Sequence, residues 1–278
     1  MTEQRYLGDS TVRTFEATVE RALDDRVVLD GTHFYPTGGG QPNDTGRLEA
    51  DGGAWRVVDV RKKDTIYHTL EPSDGADRPT PPEGATVTAH VDWERRHAHM
   101  RYHTAQHLLS ALLLAEFDAA TTGNQLYHDR AHLDCAYDRF DDGDLASIQR
   151  RLNDLVAEDR PVRWYTMDRE RAEATLDTDR TRIDLLPDSI RELRIVEVGG
   201  AGEDAPGGQV AEPPGAAGAE PYDRTACAGT HVENTAEIGQ VVVTGRETKG
   251  SQEERVRFAL AEHLDREGDA TADRPGAP

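Results

Sequence analysis

The chain has 278 residues, with 32 Lys and Arg against 53 Asp and Glu and a formal net charge of −21. That length accommodates two domains with cores of their own. No apolar run opens the chain and no apolar stretch reaches about 18 residues, so neither a signal peptide nor a membrane helix is expected; two cysteines make no disulfide framework, which fits a reducing, cytoplasmic setting.

Taken in chain order, the first residues read as β. Thr14–Glu20, Arg26–Asp30, Trp55–Val60 and Ile66–Leu70 are short alternating or apolar runs separated by Gly and Asp turns, and strands at that spacing predict a small barrel over residues 1–92. Between the second and third lies Phe34–Gly46, with Gly38, Gly39 and Gly40 in a row before Gln41. Such a run fits a backbone that approaches a ligand or adopts positive φ, or a plain surface turn. No Gly-Lys-Ser/Thr follows, so it is not a P-loop. Asp74–Gly84, rich in Pro, Asp and Gly, reads as a linker or long turn.

From His97 to Glu116, Met100, His103, His107, Leu108, Ala111, Leu112 and Ala115 recur at helical spacing. Cys135, in the strand-like run Ala131–Tyr137, reads as a small core residue. Asp144 is the expected N-cap of a second helix carrying Leu145, Ile148, Leu152, Leu155 and Val156 on one side. Pro161–Tyr165, Leu193–Val198, Gly239–Thr244 and Glu254–Leu260 read as strands, and Gly199–Pro221 as a flexible loop. Helices among strands without regular βαβ alternation predict an α+β fold: an N-terminal small β-barrel domain, then helices packed on a mainly antiparallel sheet over 93–264. Residues 265–278 read as a disordered tail.

Two short motifs carry the chemistry. His103-Thr104-Ala105-Gln106-His107 places two imidazoles one helical turn apart, and Cys227-Ala228-Gly229-Thr230-His231 adds a thiol and a third imidazole. Either pair alone is an ordinary polar face. Together they make a tetrahedral donor set suited to Zn²⁺. A zincin protease is excluded, because Thr104 stands where its general base Glu belongs.

These residues resemble the metal motif of the alanyl- and threonyl-tRNA synthetase editing domains. Phe34–Gly46 resembles the glycine-rich motif of the alanyl branch, and Val91–Arg101 and Asn234–Gly239 match as well. Over residues 12–262 the chain is similar to free-standing alanyl-tRNA trans-editing proteins of the AlaX type, in the medium-length class. The resemblance implies hydrolysis of tRNA-Ala mischarged with serine, or with glycine. It implies metal ligation by His103, His107, Cys227 and His231, substrate contact by Gly38, Gly39, Gly40 and Gln41, and recognition of the serine hydroxyl by Thr121 or Thr122. Ala228 stands where that family usually has Gly, and Gly199–Pro221 is longer than expected. Four protein ligands would fill a tetrahedral site, so either water displaces one or the metal mainly shapes the site. The rival function is a non-catalytic, metal-stabilised tRNA-binding module, which a deacylation assay separates.

The charge bears on the partner. Lys62, Lys63 and Lys249 are the only lysines, and acidic runs such as Asp141–Asp144 recur along the chain, a composition expected of a halophilic protein. In molar salt the Debye length falls to about 3 Å, so local arginines rather than net charge must meet RNA. Arg95, Arg96, Arg101, Arg255 and Arg257 are the candidates. A monomer is the expected state.

Overall fold

The computed structural model describes residues 1–264 except 52, 74, 178–180, 182, 184–186, 188–189, 201, 204, 212 and 214–219. The expected tail, 265–278, lies outside the described residues. Two compact units divide the chain, Met1–Met100 and Arg101–Pro278.

The first unit opens with β1 (Glu3–Gln4), β2 (Thr14–Ala22), β3 (Arg26–Leu29) and β4 (Gly31–Thr32). It continues with β5 (Gly46–Ala50), β6 (Gly53–Lys62), β7 (Ile66–Pro72) and β8 (Thr86–Val91). Six of these close into a barrel in the order β2-β3-β7-β6-β5-β8, every pair antiparallel. Alternation along β2 turns Phe15, Ala17 and Val19 inward, where they meet Val27, Leu29, Leu48, Trp55, Val57, Ile66, Val87 and Ala89 in one core. Closure leaves no free sheet edge. It also brings β5 against β8 so tightly that a Cβ on Gly46 would lie 2.1 Å from the His90 carbonyl oxygen.

The Asp74–Gly84 stretch is not a boundary between domains. It connects β7 to β8 within the barrel and is tied down there: Trp55 Nε1 donates to the Arg78 carbonyl at 3.0 Å, and Thr80 Oγ1 to that of Leu23 at 3.1 Å. Pro, Gly and Asp mark turns, and turns serve a crossing between two non-adjacent strands of one barrel as readily as a linker between domains.

Helix α1 (Trp93–Phe117) starts four residues before the periodicity shows. After it come β9 (Thr121–Leu126), β10 (Ala131–Cys135), α2 (Asp142–Ala157), β11 (Val162–Asp168) and α3 (Arg169–Thr175). Then follow β12 (Glu192–Val198), β13 (Gly208–Gln209), β14 (Asp223–Ala226), β15 (Val241–Gly250) and β16 (Glu253–Leu260). The second unit holds two four-stranded sheets, β15-β16-β10-β9 and β13-β11-β12-β14, antiparallel except for the β11–β13 pair. The fold is therefore α+β.

Tyr102, Ala105, Leu108, Leu109, Leu112 and Leu113 are all buried, so the middle of α1 is a core helix on every side. Polar groups on it must find partners within the protein. The N-cap of α2 is Asp141, not Asp144. Asp141 accepts from the Asp144 N–H while the Asp144 carboxylate accepts from the Asp141 N–H. Asp144, the third residue of the helix, is thus the other half of a capping box, a role that a run of three acidic residues around one glycine does not reveal. Within the expected loop Gly199–Pro221, Gly208–Gln209 pairs in parallel with β11, and Glu203 binds Arg163. Cys135 is fully buried, and burial together with the Glu254 carboxylate pushes its thiol up to about 12, so it is a core residue and not a nucleophile.

Candidate metal centre

His103 and His107 project from consecutive turns of α1. Cys227 directly follows β14, and His231 lies four residues further on. One donor atom from each of the four falls within 4.8 Å of the others. Cys227 Sγ is 3.5 Å from His103 Nε2 and 3.4 Å from His231 Nε2. The ring centroids lie 4.4 Å apart for His103 and His231 and 4.7 Å for His107 and His231. Zinc bonds of about 2.3 Å to sulfur and 2.0–2.1 Å to nitrogen at tetrahedral angles require S···N separations of about 3.5 Å. The cluster already has that spacing, so its residues fit the metal.

The outward nitrogens are held as well. His107 Nδ1 lies 3.0 Å from Asp223 Oδ2, and His231 Nδ1 3.2 Å from Thr104 Oγ1. Thr104 Oγ1 in turn accepts from the Val232 N–H at 3.3 Å. Such partners fix ring orientation and leave Nε2 directed at the cluster. Burial opposes charge on His107, but the Asp223 carboxylate and Cys227 outweigh it and raise its pKa to about 9. Burial would raise the Cys227 thiol; the His103 and His231 imidazoles beside it hold it well below its usual range. A thiol biased towards thiolate is the form that binds metal. Backbone N–H of Gly229 also donates to Cys227 Sγ, at 3.3 Å.

Sequence reading had missed Asp223 and the role of Thr104. Their signal is chemical: every ligating histidine needs an acceptor for its second nitrogen. Nothing local to His107 says that the acceptor lies 116 residues away.

The two candidate threonines are used differently. Thr121, half-buried, shares a short hydrogen bond with Ser110, three residues along α1 from His107. Thr122 is exposed and donates to Glu253 Oε1 at 2.7 Å. In the first unit, Gly38–Gln41 form a two-residue turn closed by both backbone hydrogen bonds, 3.0 and 2.9 Å. Gly39 and Gly40 sit at φ +56° and +79°, the type I′ geometry that favours glycine. No atom lies within 4 Å of a Cβ built on Gly39, so the turn needs glycine there for conformation rather than for room. The Gln41 side chain is fully buried.

Arg96 is not an RNA contact. It is wholly buried, paired through Nε with both Asp44 oxygens at 3.1 and 2.9 Å, and it donates to the carbonyls of Ser10 and His33. Asp44 belongs to the glycine-rich segment, so this arginine anchors that segment to the first turns of α1. Arg101 binds the Ile238 carbonyl at 2.8 Å and Glu262 at 2.6 Å, and Arg255 grips Asp134 at 2.6 and 2.8 Å. Arg95 donates to the Asn43 carbonyl, and Arg257 pairs with Glu247. Counting arginines near a motif does not reveal which ones the fold has already committed.

Residues 193–257 match the family described as threonyl and alanyl tRNA synthetase second additional domain. Residues 3–95 match tRNA synthetases class II (A). The alanyl-tRNA editing protein AlaX-M of Methanosarcina barkeri is 37% identical over 94% of this chain and all of its own length. That of Methanosarcina acetivorans is 36% identical over 94% of this chain and 99% of its own. The chain belongs to the AlaX-M family of alanyl-tRNA editing proteins. It is also similar to the alanine–tRNA ligase of Pyrobaculum calidifontis, 36% identical over 87% of this chain but only 25% of that enzyme. Among the described residues no helix is long and apolar enough to cross a membrane.

Proposed function

We propose that this AlaX-M family member hydrolyses the ester of tRNA-Ala mischarged with serine, and secondarily with glycine, at a zinc centre held by His103, His107, Cys227 and His231. One observation carries the reading. A thiol and three imidazoles converge at zinc-bonding separations, with the outer nitrogens of two of them held by Asp223 and Thr104. Bound there, zinc supplies Lewis acidity towards an ester carbonyl or a water of lowered pKa.

The chain's own groups do the rest. Asp223 accepts the His107 Nδ1 proton and fixes the tautomer. Thr104, held by the Val232 N–H, does the same for His231. Thr121, braced by Ser110, is the group we assign to the hydroxyl that separates serine from alanine. A site that hydrogen-bonds that hydroxyl disfavours a substrate lacking it, as a merely apolar pocket cannot. Thr122 is tied to Glu253 and is the weaker candidate. Gln41, with the backbone of Gly38–Gly40, is assigned to the substrate ester or terminal adenosine. In this reading residues 1–92 are the substrate-contacting β domain and 93–264 the deacylase domain, working as a monomer in a salt-rich cytoplasm.

Deacylation of seryl-, glycyl- and alanyl-tRNA-Ala by zinc-loaded and chelated protein tests this. Turnover should be fastest with the seryl form, slow with alanyl, and lost on chelation. Retention of mischarged tRNA without turnover would overturn the enzymatic reading in favour of a binding module.

A further inference from the structure

Of the cations that sequence reading assigned to RNA, Arg96, Arg101 and Arg255 are held within the protein, Arg95 donates to the Asn43 carbonyl, and Arg257 makes an exposed pair with Glu247; the acidic load is also uneven. Residues 1–100 carry 12 Lys and Arg against 18 Asp and Glu, and the rest of the chain 20 against 35. Within the less acidic part, Arg61, Lys62 and Lys63 form three consecutive cations where β6 turns into β7. All three are exposed. Two of the chain's three lysines are spent there.

The neighbouring strands add to the cluster. Arg61 is the cross-strand partner of Tyr67. The guanidinium of Arg26 lies 5.1 Å, and that of Arg21 5.6 Å, from the Tyr67 ring centroid. A guanidinium held over a ring spends its face on the aromatic and keeps its rim of N–H donors free for an acceptor. Three arginines, Arg21, Arg26 and Arg61, thus gather about one tyrosine on the β2–β3–β7–β6 wall of the barrel, with Lys62 and Lys63 beyond them at the β6–β7 turn.

Carboxylates are present too, and they have to be weighed. Asp59 lies 2.9 Å from Arg61, Asp25 3.9 Å from Arg26 and Asp64 4.0 Å from Arg21. These pairs are solvent-exposed, and such pairs contribute about 0–1 kcal/mol, which a phosphate can displace. Arg255 differs: its bidentate pair with Asp134 is 19% and 13% exposed. Among the described residues neither Lys62 nor Lys63 has a carboxylate within 4.0 Å; Lys62 Nζ donates to Gln4 Oε1.

We propose that this wall of the barrel and its β6–β7 turn, Arg61, Lys62 and Lys63 with Arg21, Arg26 and Tyr67, dock the sugar-phosphate backbone of the tRNA body. The idea rests on the reading of this chain as acting on tRNA. It adds a contact surface formed by the β6–β7 hairpin and its neighbours on β2 and β3. At high salt the surface works by direct phosphate contact, not by a long-range field.

The test compares the wild type with Arg61→Gln/Lys62→Gln/Lys63→Gln and with the charge-preserving Lys62→Arg/Lys63→Arg. Each is assayed on seryl-tRNA-Ala, on the small ester 3′-seryl-adenosine, and for binding of uncharged tRNA-Ala. The neutral variant should raise KM for the tRNA and weaken tRNA binding about tenfold. Its kcat and its rate on the small ester should stay at wild-type values, and the arginine variant should match the wild type throughout. An unchanged KM and tRNA affinity in the neutral variant would overturn the proposal, as would an equal loss on the small ester. Should the wild type hydrolyse neither ester, the functional reading fails instead, and the tRNA-binding arm still decides the docking surface.

Discussion

Buried histidines in the two units do opposite things. In the barrel, His68 is fully buried with Nε2 2.9 Å from Thr32 Oγ1 and Nδ1 3.4 Å from the Val27 carbonyl oxygen. Both nitrogens are committed to ordinary protein groups, so the ring is a filled core position. In the second unit, His107 and His231 each commit Nδ1 to an outer partner, while Nε2 faces a thiol and other imidazoles. The lesson is that burial alone does not mark a ligand. A metal-binding histidine is recognised by where its second nitrogen goes, and by what meets the first.

The largest effect that would break this contrast comes from the four residues proposed as zinc ligands. Cys227→Ala or His231→Ala should abolish stoichiometric zinc and lower deacylation more than about 100-fold, beyond the range usual for an outer partner. Metal analysis and single-turnover deacylation check both. Stoichiometric zinc in a variant lacking all four ligands would sink the assignment.

His68 supplies the control from the other side. Burial lowers its pKa from 6.5 to about 4. The folded state therefore resists a proton that the unfolded chain accepts. The neutral ring's contribution is intact above about pH 6.5 and is lost progressively as pH falls through about 4, with a total of about 3 kcal/mol. Urea unfolding of the barrel unit across that window should show the loss, and His68→Gln should flatten it without touching zinc content. A pH profile unchanged by His68→Gln would remove this histidine from the account.

Asp223→Asn sharpens the comparison further. It keeps the shape but takes away the charge that orients His107, and zinc affinity should fall about 10–100-fold in a chelator competition. Wild-type affinity would mean that the His107 contact is incidental. The smallest effect is expected at Thr121, the residue proposed to set specificity. Thr121→Val should narrow the kcat/KM ratio between seryl- and alanyl-tRNA-Ala about tenfold with zinc still bound. An unchanged ratio would move discrimination to another residue.

The amino-acid sequence by itself determined whatever depends on local spacing. The i,i+4 pairs made the two halves of the centre recognisable, helical periodicity marked α1, and alternating short strands marked a barrel. Three-residue and four-residue repeats along α1 are properties of one helix and survive without knowledge of the rest of the chain, whereas Cys227–His231 follows β14 outside any helix and is read from its residue types alone. Only the tertiary structure decided which polar groups those elements meet. It put Asp223 on His107 across 116 residues of chain, buried Arg96 on Asp44, tied Thr121 to the α1 helix and Thr122 to Glu253, and made Asp74–Gly84 a barrel connection. The physical reason is common to the four side-chain placements. A charged or hydroxyl side chain is acceptable on a surface or beside a partner, and its own sequence neighbourhood looks the same in both cases. Burial and closure choose between them.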